Sequence, residues 1–316
     1  MKVVTIATDP ENRFLRRLLI PSCDRVGLEL VVLCPATQAA EHGHARGSAI
    51  PGAHSRAVGM TDVGAGLPFN FADKRVIVSR YLSQLADRDE LIVFTDAYDT
   101  LFVRGESHIE AAYATFAERV VFSAESNCWP LGTVGFALYG DPPVGPYPYL
   151  NSGGFAGTAG DVLELYSRYP DPPSAHFELL ERLRAHGYDA DRRCGWSDQY
   201  YWTLVHLLER GTIGLDHEAR IFECYGRPYP EIEEAVREGL EFFERGTEAP
   251  CYEHEGVRLR ERLRAPGGSA QVHFSSGVTK AVAMDLFDRG QLPDWLGGVL
   301  RAPSPADERR VHVHHV

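Results

Sequence analysis

The stretch Leu91-Ile92-Val93-Phe94-Thr95-Asp96-Ala97-Tyr98-Asp99 is a short apolar run that stops abruptly at two carboxylates flanking an aromatic residue. A continuous hydrophobic run of this length predicts a strand buried on both faces, and open α/β sheets bind ligands just beyond the carboxyl ends of such strands. Asp96 and Asp99 therefore stand where chemistry is usually done. Two acids held close together raise each other's pKa unless a cation or a shared proton joins them, which points to a hard divalent metal bridging to phosphate. On these residues alone, turn and helix-capping aspartates after a strand read equally well.

Upstream, Val3 to Thr8 is strand-like, Glu11 to Val26 carries Phe14, Leu15, Leu18 and Leu19 at helical spacing, and Leu28 to Leu33 is strand-like again. This is a βαβ opening. Residues 41–68, rich in Gly, His, Ala and Pro, lack sustained periodicity and predict a long surface loop. A helical pattern from Phe71 to Ala86, with Lys74 near its start, leads into the strand that ends at Asp96. Downstream, Arg119 to Glu125 predicts a second buried strand beside the first, residues 132–148 a loop, and Tyr149-Leu150-Asn151-Ser152-Gly153-Gly154-Phe155 a new element. Its two glycines suit either a close backbone approach to a ligand or a tight turn. Helices are expected around 159–169, 176–186 and 198–209. Residues 230–264 read as exposed helix and linker, and an apolar piece at 270–272 precedes His273.

With 316 residues, 44% hydrophobic and 24% charged, the chain can bury a large core. A formal net charge of -12 with no concentrated Lys/Arg run argues against a nucleic-acid partner. No stretch is long enough to span a bilayer. The N-terminal apolar run is too short and wrongly flanked for a signal peptide, so a cytoplasmic location is expected. Cys23, Cys34, Cys128, Cys194, Cys224 and Cys251 show no CxxC pairing, so neither a zinc ribbon nor a disulfide scaffold is indicated. The sequence leaves a homodimer open.

Six separated blocks then coincide in order: Phe94-Thr95-Asp96-Ala97-Tyr98-Asp99, Phe122-Ser123-Ala124-Glu125, Cys128-Trp129-Pro130, Tyr149 to Gly157, Asp198-Gln199, and His273-x-x-x-Gly277-x-x-Lys280. Together they resemble the glycosyltransferase domain of procollagen lysyl hydroxylases and its bacterial and viral relatives. Nothing here resembles that family's dioxygenase domain, so lysyl hydroxylation is not expected. The resemblance implies an α/β GT-A glycosyltransferase fold, a Rossmann-like mixed sheet flanked by helices. It would span residues 1–300 as one domain, with a nucleotide-binding half at 1–125, an acceptor and sugar half with the closing metal-ligand segment at 126–300, and a flexible tail at 301–316.

The same resemblance implies transfer of a hexose from UDP-glucose or UDP-galactose to a hydroxyl acceptor, with manganese or magnesium as cofactor. Asp96, Asp99 and His273 would be the metal ligands, a mixed oxygen and imidazole set that suits manganese better than calcium. Tyr98 would stack on uracil, Thr5, Ala7 and Thr8 would form the nucleoside edge, and Lys74 would lie near the nucleotide. Gly277 and Lys280 would meet phosphate, the lysine as a point charge. Asn151, with Ser152, Gly153 and Gly154, would line the sugar and acceptor side, and Trp129 would wall the acceptor. Asp198 would recognise a sugar hydroxyl or activate the acceptor. Its neighbour is Ser197 where the relatives carry a second Asp, which weakens any inference to a collagen acceptor.

Two rivals remain at this level. Asp96 to Asp99 is similar to the haloacid dehalogenase phosphatase motif, but there the second Asp follows two residues after the first and the motif stands near the chain's start. A sugar-nucleotide-binding protein without turnover is the other, since Ser197 would mark loss of a carboxylate.

Overall fold

The computed structural model describes residues 1–35, 73–140, 145–300 and 311–315. The loop expected at 41–68 and the first residues of the helix expected from Phe71 lie outside the described residues, as do tail residues 301–310. Among the described residues, seven strands form a mixed sheet: β1 (Lys2–Ile6), β2 (Leu30–Cys34), β3 (Leu91–Thr95), β5 (Val120–Glu125), β6 (Tyr149–Thr158), β7 (Ile213–Leu215) and β10 (Val311–His315), in the order β10-β2-β1-β3-β6-β5-β7. A smaller sheet contains β4 (Thr100–Phe102), β8 (Phe222–Cys224) and β9 (Gln271–His273), in the order β4-β9-β8.

The alternating apolar residues explain the layers. Val4, Ile6, Ile92, Phe94, Val120 and Phe122 face one side, against helices Asp73–Gln84, Ala159–Arg168 and Asp198–Leu208. Val3, Val93 and Ala156 face the other, against the helical stretch from Leu15 to Val26 and helix Glu106–Tyr113. A sheet covered on both faces is the arrangement that near-continuous hydrophobic strands require. Phe94 stacks on Phe155 with centroids 5.1 Å apart, Phe155 tilts against Phe122, and Trp202 closes the pile. Such aromatic pairs add about 0.5–1.5 kcal/mol each beyond burial, and this pile lies under the strand end that carries Asp96.

The expected Rossmann-like mixed sheet is present, with four local differences. β5 is not beside β3: β6 runs antiparallel between them, pairing with both. Gly153 and Gly154 lie inside β6 and make no turn. Val311–His315, read from the sequence as tail, pair in parallel with β2 at the sheet edge. Within the predicted loop 132–148 a helix forms at Thr133–Tyr139, and 230–264 resolves into helices Ile232–Arg245 and Pro250–Arg262. All six cysteines are free and buried. Among the described residues, no helix is long and apolar enough to cross a membrane.

Candidate metal and nucleotide site

Strand β3 ends at Thr95, and the chain turns through Asp96 to Asp99 before β4 begins at Thr100. This turn is braced from below. Gln271 Nε2 donates to the Thr95 hydroxyl at 2.6 Å, and the Thr100 hydroxyl donates to the Asp96 carbonyl at 2.5 Å. Thr95 and Thr100 hydroxyls lie 2.6 Å apart, so the Thr95 proton completes a one-way chain of donors. The Asp96 amide donates to the Gly153 carbonyl of β6 at 3.0 Å. β4 pairs antiparallel with β9 so that Thr100 faces His273, and the Phe274 amide donates to the Asp99 carbonyl at 2.8 Å. The register of two short strands therefore sets the imidazole beside the carboxylates, across 174 residues of sequence.

Asp96, Asp99 and His273 each offer a ligand atom, all within 4.8 Å of one another. Two atoms each about 2.2 Å from one ion stand up to about 4.4 Å apart, so small side-chain movements suffice. Asp99 Oδ1 is sealed from solvent and, among the described residues, accepts no well-formed hydrogen bond; His273 Nε2, 3.4 Å away, is its ion-pair partner. A buried carboxylate oxygen without a donor is costly unless a cation meets it. The residues present thus fit a divalent ion.

The electrostatics agree. Burial works against the charge on Asp99, but His273, then Lys280 and Lys74, outweigh it and hold the carboxyl below its usual range. Burial likewise opposes a charged His273, yet the Asp99 carboxylate, with Cys224 contributing, keeps the ring well above the usual histidine range. A cation at Nε2 must displace that proton. Metal affinity should therefore rise with pH by up to about tenfold per unit until the ring's raised pKa is passed. Manganese titrations from pH 6 to 8 check this, and a flat profile contradicts it.

Lys74, from helix Asp73–Gln84, reaches under the turn. Its Nζ lies 2.6 Å from Asp96 Oδ1 and 3.5 Å from Asp198 Oδ2. Burial disfavours its charge, but Asp198 and then Asp96 raise its pKa above the ordinary lysine value. Asp198 begins helix Asp198–Leu208, and its burial raises the carboxyl despite Lys74. Tyr98 sits at the end of β1: its hydroxyl accepts from the Asp9 amide at 2.6 Å and lies 3.2 Å from Thr8 Oγ1. Of the nucleoside edge predicted from Thr5, Ala7 and Thr8, only Thr8 is partly open. Thr5 and Ala7 are fully buried, and the Thr5 hydroxyl donates to the Thr95 carbonyl. Thr5 is a strut for the turn, because its side chain points into the sheet's interior. Gly277 starts helix Gly277–Asp288, capped by Ser276, whose hydroxyl accepts from the Thr279 amide. Gly277 has no left-handed backbone; it sits with Lys280 in the helix's first turn, where backbone amides favour anions.

Several residues without a role in the sequence reading complete the site. Glu125, at the end of β5, is buried and accepts from Asn151 Nδ2 at 2.9 Å and Gln199 Nε2 at 2.8 Å. Burial raises its pKa, and these two bonds offset only part of that. Gln199 Nε2 also donates to the Trp129 carbonyl, and its Oε1 accepts from the Ser152 amide. Asn151, Ser152, Trp129 and the start of the Asp198 helix are thereby tied together. Cys224 Sγ lies 3.6 Å from His273 Nδ1, the ring atom away from the acids. The signal for Glu125 and Gln199 was their place inside two of the motif blocks; Cys224 had none.

Gly153 is explained by packing. A Cβ there would stand 2.3 Å from His273 Cε1 and 2.9 Å from Asn151 Oδ1, whereas one on Gly154 would meet Phe222. The paired glycines admit the imidazole and a phenyl ring to β6. Gly153→Ala should cost about 1–3 kcal/mol of stability by overpacking and should also weaken manganese binding, because the ring must move. Gly154→Ala should cost stability without that loss. Urea midpoints and manganese titrations of both variants separate the two effects.

Residues 72–171 match the family profile described as the PLOD GT domain. The resemblance to this glycosyltransferase domain is therefore shown. The PLOD GT match takes in Lys74, Asp96, Tyr98, Asp99, Glu125, Trp129 and Asn151, leaving His273 outside it. The chain is 30% identical over 152 residues to mouse procollagen-lysine,2-oxoglutarate 5-dioxygenase 1, covering 46% of this chain and 18% of the relative. It is 28% identical over 161 residues to the human multifunctional procollagen lysine hydroxylase and glycosyltransferase LH3, covering 49% and 19%. The matched region thus spans about a fifth of these curated relatives. Among solved structures, mouse xyloside xylosyltransferase 1 aligns with a TM-score of 0.45 at 11% identity, covering 86% of this chain and 96% of that one. The glycosyltransferase GlyE of Streptococcus pneumoniae TIGR4, in its apo form, aligns at 0.37 and 9%, covering 96% and 65%.

Proposed function

We propose that this chain is a metal-dependent glycosyltransferase that moves a hexose, glucose or galactose, from its UDP-sugar to a hydroxyl of a small molecule, glycan or peptide. The observation that carries the reading is the convergence of Asp96, Asp99 and His273, with Asp99 Oδ1 buried and lacking a hydrogen-bond donor among the described residues, inside a chain that matches the PLOD GT domain. Manganese, or magnesium, would be held by these three side chains, and when bound it neutralises charge on the donor diphosphate.

The chain's own residues supply the rest. Lys280 and the amides at the start of helix Gly277–Asp288 offer positive charge to the diphosphate as it becomes a leaving group, which favours the transition state over the ground state. Tyr98, anchored by its hydroxyl to Asp9, offers a ring face to the uracil. Asp198 accepts a hydrogen bond from a sugar hydroxyl, and Lys74 holds Asp198 and Asp96 at a fixed separation. Asn151 and Trp129 line the acceptor side.

A screen of UDP-sugars for slow hydrolysis tests the reading. Cleavage of UDP-glucose or UDP-galactose that needs manganese is the expected result. Release of phosphate from monoesters would favour a phosphatase, and tight donor binding with no cleavage would leave a sugar-nucleotide binder.

A further inference from the structure

Cys224 touches the site without a part in the function proposed above. β8 pairs in parallel with β9 so that Cys224 stands opposite His273, and residues opposite one another on neighbouring strands project to the same face. The two side chains are therefore neighbours by register, with Sγ 3.6 Å from Nδ1. Alternation along β8 sends Phe222 to that face as well, against Gly154, and turns Glu223 away from it to meet Ser269 and Arg262. Behind Cys224 stands β5, whose Ser123 Oγ lies 3.4 Å from the sulfur. Ser123, Cys224 and His273 are all buried.

Packing alone does not orient the imidazole. A half-turn about Cβ–Cγ exchanges Nδ1 with Cδ2 and Nε2 with Cε1 while hardly changing the ring's outline, so the space that Gly153 leaves for it accepts both orientations. Polar partners decide between them. Asp99 Oδ1, 3.4 Å from Nε2, selects at one end of the ring, and the Cys224 sulfur selects at the other. An ion shared by Asp99 and His273 takes the Nε2 lone pair, which leaves the one ring proton on Nδ1, facing Cys224. The sulfur accepts that N–H, and its own S–H is then free to donate to Ser123 Oγ. Each member of the chain has one direction.

We infer that Cys224 is a positioning residue for the metal site: its sulfur accepts the Nδ1–H of His273 and so holds the Nε2 lone pair toward Asp99 and Asp96. This deepens the metal-dependent reading above and rests on it. The partner behind a ligating histidine is ordinarily a carboxylate, a backbone carbonyl or water, and its loss costs about 10–100-fold in metal affinity. A thiol is a weaker acceptor than any of these, so the low end of that range applies.

Manganese titrations of the full chain, read from the electron paramagnetic resonance of the free ion, test the role with Cys224→Val and Cys224→Ser, and urea midpoints establish that each variant is folded. The first change fills the thiol's space and accepts no hydrogen bond; the second keeps an acceptor. Cys224→Val should weaken manganese binding about tenfold, and Cys224→Ser should stay within about threefold of wild type. Unchanged manganese affinity in Cys224→Val, or a loss in Cys224→Ser as large as in Cys224→Val, would overturn the role. If Cys224→Val does not fold, Cys224→Ala takes its place under the same criteria. A wild type that binds no manganese ends the metal reading and this role with it, whereas a wild type that binds while Cys224→Val is unimpaired ends the role alone.

Discussion

Asp99→Ala should lower manganese affinity by more than about 100-fold and remove manganese-dependent cleavage of the donor. Outer partners of a metal site typically cost 10–100-fold when lost, and a direct ligand should cost more. Among the described residues Asp99 Oδ1 accepts no hydrogen bond, and its nearest charged partner is His273, which would ligate the same ion. The fold should survive, because the change leaves His273 buried and neutral, with Cys224 still beside Nδ1. Stability should nevertheless shift with pH in a defined sense. The Asp99 carboxyl is lowered and the His273 ring raised, so their ion pair contributes above the ordinary carboxylate range and below the raised histidine value. The variant's deficit should be larger at pH 6 than at pH 9. Manganese titration with denaturant midpoints at the two pH values checks both parts. A folded variant that binds manganese as wild type does ends the metal assignment.

His273→Ala extends the same logic. If the donor diphosphate and His273 share one cation, the variant should lose manganese affinity and manganese-dependent UDP affinity together, while UDP affinity without metal stays unchanged.

The strand-end acids were legible because they follow one another in sequence and terminate a run whose hydrophobicity is itself the strand signal. His273 carries no such local mark: only its place in an ordered set of motifs distinguished it, and its approach to Asp99 depends on the register of β4 against β9. The insertion of β6 between β3 and β5 was not legible, since strand order is set by long-range pairing. Glycine is also depleted in strands, so Gly153-Gly154 reads as a close approach to a ligand or a turn, whereas both sit in the middle of a ten-residue strand. What fixes those glycines is the bulk of His273 and Phe222 arriving from elsewhere. Glu125 and Gln199 escaped a role for a related reason. A buried polar residue shows its function only through its partners, and theirs come from Asn151 and the Trp129 carbonyl on separate elements. Thr5 errs in the opposite direction, standing at a strand end by sequence and pointing inward in space.

Lys74→Met should be the most damaging single change for the fold of the site. Lys74 and Asp198 are both about nine-tenths buried, and Asp96 is about a quarter exposed. Methionine keeps the stem's volume and removes the charge, leaving Asp198 ionised in the interior with its Ser152 hydroxyl contact but no cation. Breaking a buried pair in this way costs about 3–5 kcal/mol, whereas the contribution of the more exposed Asp96 is partly screened by solvent. The pH dependence identifies the cause. Without Lys74, the folded-state pKa of Asp198 rises further above its unfolded value, so the folded variant takes up a proton and recovers stability as pH falls through that raised value. The gap between wild type and variant should therefore be widest at neutral pH and narrow toward pH 4. Asp198→Asn placed in the same chain should restore much of the loss, because the amide needs no counter-charge. If the double variant is as unstable as Lys74→Met at pH 7, the ammonium is not the strut that holds Asp198 in place.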